Sequence, residues 1–143
     1  MKVLKFGGTS VGSAESILSL KRIVEQQEQQ VIVVVSALGG ITDKLIATSK
    51  LAIQGDEQYK EEFVKMISRH HEMIDSIIAN DTRRKQLKAS IDELAEELRS
   101  IYYGLFLIKD LSSKTLAAIV KTSLVSKILN DTRTLYHRMS STV

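Results

Sequence analysis

The chain has no cysteine, which excludes disulfides and thiolate metal sites. Proline is absent too, so few positions force a helix to break. No apolar run approaches the ~20 residues that cross a bilayer. The N-terminus lacks the charged region, long apolar run and small-residue cleavage site of a signal peptide. A cytoplasmic protein without membrane contact is the expectation. Clustered positive charge is missing as well: residues 1–120 hold 16 Lys and Arg against 16 Asp and Glu, and the net +3 comes from Lys121, Lys127, Arg133 and Arg138 set against Asp131. Four dispersed basic residues without interleaved aromatics make a poor footprint for a phosphate backbone, so nucleic acid is not an expected partner. What is present is a chain of 143 residues, enough for one domain that buries roughly two thirds of its unfolded surface.

Glycine is sparse and unevenly placed, with five of the seven residues in the first 40. Residues 2–6 and 31–36 (VIVVVS) read as short strands, the second apolar on both faces as in a parallel strand covered by helices. Between them Ser13 caps a predicted helix running to about Gln29, with Ile17, Leu18, Leu20, Ile23 and Val24 as its buried stripe. This is a βαβ unit. Its glycines fall at the strand ends, where backbone rather than side chain would face a ligand.

From residue 42 the pattern turns helical. One helix is predicted from Thr42 to about Gln54, Gly55 and Asp56 interrupt, and a second runs from Glu57 to about Ala79. Residues 80–82 (NDT) supply a turn and an N-cap for a third, whose Leu87, Ile91, Leu94, Leu98, Ile101, Leu105 and Ile108 alternate by four and three. That 3.5-residue period marks a helix packed lengthwise on another. Phe63, Ile67, His70, Ile74 and Ile77 keep the same spacing on the preceding helix, so an antiparallel hairpin is the economical reading. The same stripe could instead pair two chains. The expected fold class is α/β, a partial parallel sheet sandwiched by helices with a long helical hairpin. Its parts are a βαβα portion over 1–56, the hairpin over 57–110 and a helical tail over 111–143, one domain overall.

The opening stretch VLKFGGTSVGS, residues 3–13, carries the chemistry. A βα turn at the carboxyl edge of a parallel sheet is where open α/β folds bind ligands, and consecutive glycines let an anion rest on backbone N–H groups. Lys5 ends its strand beside that turn, where an ammonium could neutralise a phosphoryl group in transfer. The spacing fits neither the dinucleotide fingerprint nor the Walker loop. A surface lysine before an ordinary Gly-Gly turn explains the same letters. The second strand ends alike: VVVSALGGITDK delivers Ser36, Gly39, Gly40 and then Thr42 at a helix start, a setting that suits a carboxylate or phosphate. Ser36 could equally satisfy a strand end, and Thr42 cap a helix.

KFGGTSV at 5–11 together with VVVSALGGITDKL at 33–45 resembles the start of an aspartate kinase, including the kinase portion of bifunctional aspartate kinase/homoserine dehydrogenases, within the amino-acid kinase family. The likeness extends through LSSKTLAAIV at 111–120. It implies a parallel α/β sandwich that uses ATP and Mg2+ to phosphorylate the side-chain carboxylate of L-aspartate, a first step in making lysine, threonine, methionine and isoleucine. It also implies that Lys5 stabilises the transferred phosphoryl and that Gly7 and Gly8 cradle it. Phe6, Thr9 and Ser10 complete that loop, and Ser36 and Thr42 hold aspartate. A cation and backbone donors suffice because phosphoryl transfer is mainly positioning and charge stabilisation.

The likeness stops after Val120, where the family continues with a Ser-x-Gly-Glu segment and this chain reads KTSLVSKILNDTRTLYHRM. No glycine or glutamate follows residue 104, and the family's later glycine-serine-aspartate and nucleotide-binding elements are not found. Thr122, Ser123 and Ser126 therefore take no transferred role, and the chain by itself is expected to be inactive. The tail has helical periodicity through Leu116, Ile119, Val120, Leu124 and Ile128, then a cap and short helix. Self-association is expected from an unfinished sheet. His70 and His71 diverge by about 100° on a helix and cannot chelate as an i, i+4 pair. Arg83, Arg84 and Lys85, like Glu93, Glu96 and Glu97, read as solvated surface, and no metal-binding set emerges. The alternative function is a non-catalytic assembly module that pairs through the hairpin, its glycine turns vestigial.

Overall fold

The computed structural model describes residues 1–121. It divides them after Gly40 into two compact units. The first contains β1 (Lys2–Phe6), a 3-10 turn (Gly8–Val11), α1 (Ala14–Glu25) and β2 (Val31–Val35). The strands pair in parallel, with Lys2 opposite Val31 and Phe6 opposite Val35. Ser13 caps α1 by accepting a hydrogen bond from the Ser16 N–H at 3.1 Å. The helix stops at Glu25, short of Gln29, because the glutamine run ends it locally: Gln27 Nε2 donates to the Ile23 carbonyl at 2.8 Å. Of the expected stripe, Leu20 is buried, Ile17, Leu18 and Val24 are half-buried, and Ile23 is exposed.

The sheet departs from the sandwich expectation. Leu4, Phe6, Val31, Val33 and Val35 are half-buried, whereas Val3, Ile32 and Val34 are exposed along with Lys5. Side chains alternate between faces, and the register puts those four residues on one open face. A βαβ crossover places its helix on a single face of the sheet, which leaves the other uncovered among the described residues.

The second unit is helical: α2 (Ile41–Ile53), α3 (Gln58–Ile77), α4 (Asp81–Ile108) and α5 (Ser113–Lys121). The boundary expected at residue 56 would separate α2 from the later helices, but α2 packs against α3, α4 and α5. Gly55 adopts φ +72° between α2 and α3, a conformation that costs a side-chain-bearing residue dearly. Asn80 caps α4, its side chain accepting from the Arg83 N–H at 2.9 Å. Contacts between α3 and α4 run in opposite senses along the two helices: Tyr59 meets Phe106, Phe63 meets Tyr102, His71 meets Asp92 and Asp75 meets Lys88.

The buried stripe of α4 differs from a two-helix seam. Ile91, Leu94, Ala95, Leu98, Tyr102 and Leu105 are buried, while Ile101 is half-buried and Ile108 exposed. The cause is α2, which also packs on α4 and widens the stripe towards Tyr102. That tyrosine is fully buried and donates its hydroxyl proton to the Leu45 carbonyl at 3.1 Å. Its ring meets Tyr59 and Phe63 edge-on, with centroids 6.4 and 6.1 Å away. Burial pushes the Tyr102 hydroxyl pKa well above its ordinary value. His70 is also buried, its Nδ1–H donating to the Met66 carbonyl at 2.7 Å. Ile119 of α5 is fully buried. The tail periodicity through Leu124 and Ile128, the helix after it, and Thr122, Ser123 and Ser126 lie outside the described residues.

Two stability measurements follow from this core. Tyr102→Phe keeps the ring contacts and loses one buried hydrogen bond, so urea unfolding should show a loss of about 1 kcal/mol; Tyr102→Ala should lose about 3–5 kcal/mol. Burial holds the His70 pKa below its ordinary value, the main cause being desolvation of the charged ring. The unfolded chain therefore binds the proton more readily, and stability falls as pH drops below about 6.5 towards the folded-state value. The urea midpoint should decrease from pH 7.5 to pH 5.5, and His70→Gln should flatten that slope.

Candidate functional site

Of the residues singled out from sequence, Lys5, Phe6, Gly7, Gly8, Thr9, Ser10 and Ser36 lie at the carboxyl ends of the two strands. Lys5, the penultimate residue of β1, projects from the open sheet face and makes no hydrogen bond or ion pair among the described residues. Phe6 faces the other way, half-buried, and its carbonyl accepts from the Ser36 N–H at 3.0 Å, which extends the strand pairing by one rung. Gly7 leads into the 3-10 turn with φ −77° and ψ 177° and no side-chain cap. The Ser10 N–H donates to the Gly7 carbonyl at 3.0 Å. The first N–H groups of such a turn have no acceptor within it, and they belong to Gly8 and Thr9. Thr9, Ser10 and Ser36 are exposed.

Neither Gly7 nor Gly8 is glycine for lack of room. A Cβ placed on Gly7 would meet nothing within 4 Å, and one on Gly8 would make ordinary contacts of 3.8–3.9 Å with Gly39, Ala37 and Ser36. Positive φ among the glycines occurs at Gly40 and Gly55, not here. What two missing side chains leave open is access to the backbone N–H groups, the property an anion site requires.

The loop after β2 comes closest to this turn at Gly39. A Cβ on Gly39 would lie 3.0 Å from the Gly8 carbonyl oxygen and 3.3 Å from Gly12 Cα. The structure thus brings Gly8, Ser36 and Gly39 together, and adds Gly12, which sequence reasoning passed over. Its signal was available: Gly12 is a third glycine in the same short loop, and a residue without a side chain lets another backbone come close. Thr42 stands differently from its expectation as a cap. The helix begins at Ile41, so Thr42 is its second residue, exposed, and part of the helical unit.

The remaining polar residues are placed by packing. His70 points inward, while His71 lies in a shallow groove of about 380 Å³ between α3 and α4, lined in part by Phe63, Val64, Asp92 and Arg99. His71 Nε2 sits 2.8 Å from Asp92 Oδ1 but out of line for a hydrogen bond. Among the described residues no group of three or more His, Asp or Glu side chains is arranged to hold a metal, and no helix is long and apolar enough to cross a membrane.

Comparison with known proteins gives this geometry a context. The profile of the amino acid kinase family matches residues 1–133. The chain is 32% identical over 124 residues to a bifunctional aspartokinase/homoserine dehydrogenase of Buchnera aphidicola, a match covering 84% of this chain and 15% of that protein. It is 37% identical over 86 residues to aspartokinase 2 of Bacillus subtilis, covering 58% and 21% respectively. It is also 37% identical over 90 residues to an aspartokinase of Geobacillus stearothermophilus, covering 61% and 22%. The matched stretches span under a quarter of the length of these relatives.

Proposed function

The chain belongs to the amino acid kinase family, and we propose that it is the N-terminal part of an aspartate kinase, carrying the phosphoryl turn and part of the aspartate site. The observation that carries this reading is the pair Gly7 and Gly8. Neither backbone angle nor crowding calls for glycine there, yet both occur beside a lysine that has no hydrogen bond or ion pair among the described residues, at a parallel strand end. Bound MgATP would supply the γ-phosphoryl group and the metal's neutralising charge. The residues present fit the phosphoryl end of that ligand: Lys5 offers a mobile cation, and the Gly8 and Thr9 N–H groups offer fixed donors.

Lys5 draws negative charge off the phosphoryl oxygens as it builds up, while the backbone donors fix their orientation. No group here acts as a covalent nucleophile, because the acceptor is the substrate's own carboxylate. Ser36, joined to the end of β1 by the Ser36–Phe6 bond, is assigned to aspartate, as is Thr42 at the start of α2. The reaction would transfer the γ-phosphoryl group of ATP to the L-aspartate side-chain carboxylate. A carboxylate O–P bond forms as the bond from the γ-phosphorus to the β–γ bridging oxygen breaks, ADP leaves and 4-phospho-L-aspartate results. These soluble substrates suit a cytoplasmic setting.

A second reading, an assembly module acting through the helices, rests on Val64, Tyr103, Leu107 and Ile108, which are exposed on α3 and α4. Lys5→Ala separates the two. On the leading reading, MgATP shifts the Gly7–Ser10 amide resonances of the full chain with affinity no tighter than the ~mM range, and Lys5→Ala removes the effect. Aspartate-dependent ADP release should be absent from this chain alone; release at ordinary enzyme rates that Lys5→Ala abolishes would overturn the inactivity. Partner binding that Lys5→Ala leaves untouched, with no MgATP-dependent shift in the wild type, would favour the assembly module.

A further inference from the structure

We propose that Gly39 is a positioning residue that fixes the phosphoryl turn against the Ser36 loop by direct backbone contact. The inference rests on the reading of Lys5 and its turn given above. It starts from unequal crowding among the glycines. Gly7 faces open space, and Gly8 has ordinary clearance. At Gly39 a single added carbon would stand 3.0 Å from the Gly8 carbonyl oxygen, 3.3 Å from Gly12 Cα and 3.7 Å from the Gly8 carbonyl carbon. All three neighbours are backbone, so none moves aside by a rotamer change. At Gly12 the same addition meets the Gly8 and Thr9 carbonyl oxygens at 3.4 and 3.5 Å, a looser fit.

The contact is selective in what it holds. The strand ends are already joined by the ladder and by the Ser36–Phe6 hydrogen bond at 3.0 Å, so the sheet does not depend on it. The 3-10 turn is the part that a change at Gly39 would displace, because the space an added carbon there would take lies against the Gly8 carbonyl, and Gly8 carries one of the N–H groups aimed at the anion. Displacing Gly8 by a few tenths of an ångström redirects that donor. Gly39 touches no ligand in this scheme; it acts through Gly8, and it ties the phosphoryl donors to the same loop that presents Ser36. The two halves of a transfer reaction, the anion held by one turn and the acceptor held by the other, are thereby kept in register by a contact with no side chain in it.

The test uses the full chain, labelled with 15N, as wild type, Gly39→Ala, Gly12→Ala and Lys5→Ala. Gly39→Ala should move the Gly8 amide resonance, leave the resonances of α2 to α4 in place, and weaken MgATP binding about tenfold, since small misplacement of a positioned group carries penalties of that order. Gly12→Ala should do both to a smaller extent, and it carries the test if Gly39→Ala does not fold. A Gly8 resonance that stays put in Gly39→Ala, or one that moves while MgATP affinity is unchanged, overturns the inference. If wild type binds and Lys5→Ala does not, but Gly39→Ala binds like wild type, the inference alone falls. If wild type shows no MgATP-dependent shift in Gly7–Ser10, the reading of the turn falls and this inference with it.

Discussion

The site depends on the parallel pairing of β1 and β2. Because Phe6 stands opposite Val35, the two strands finish level, and the segments leaving them start side by side. A parallel pair requires a crossover between its strands, here supplied by α1, so residues far apart in sequence begin their turns at the same height. Antiparallel pairing would put the two exits at opposite ends. The contact between Gly8 and Gly39, the neighbourhood of Ser36 and the placement of Lys5 all follow from that level finish. Small residues after each strand then decide how near the two backbones come.

The helical unit answers to a different constraint, the satisfaction of polar groups inside an apolar core. Tyr102, Thr48, Ser49 and His70 are all buried, and each hydroxyl or ring N–H finds a backbone carbonyl: Tyr102 and Ser49 share that of Leu45, Thr48 uses Lys44 and His70 uses Met66. A helix carbonyl has a second lone pair to offer, which takes the Thr48 and His70 bonds without unwinding the helices, while at Leu45 the Ser49 and Tyr102 hydroxyls share it. Tyr102 alone among them crosses between helices, and it therefore fixes how α4 lies against α2. Around it the rings of Tyr59 and Phe63 fill the space that the hydroxyl bond defines.

Much of this was legible in the letters, and the failures have physical reasons. Strand and helix positions came from apolar spacing and from caps such as Ser13 and Asn80, whose side-chain bonds are local. The end of α1 at Glu25 is not legible in a hydrophobic count, because it is marked by Gln27 bonding back to Ile23. Ile101 was preferred to Tyr102 because a strict seven-residue repeat assumes one partner helix, and α4 has two beside it. Val31–Val35 looked buried on both faces because five apolar residues in a row carry no record of which face a helix covers. At the site, the two Gly-Gly pairs were visible as turns. Their mutual contact was not, because distance between segments is a property of strand register, and Gly12 acquires its meaning only once Gly39 lies beside it.

The distribution of buried residues has a consequence for how the chain opens. In residues 1–40, Val11 and Leu20 are the buried apolar residues; the other buried apolar side chains described all belong to the helical unit. Local opening free energy rises with buried apolar contact, so amide protons of β1, β2 and the glycine turns should exchange with solvent well before those around Tyr102. Among the described residues the sheet has two strands, few for independent stability, and it is expected to open more readily than the helical unit. The glycine turns are thus built on the less protected of the two units, and on the function proposed above part of a ligand's binding energy would go into ordering them.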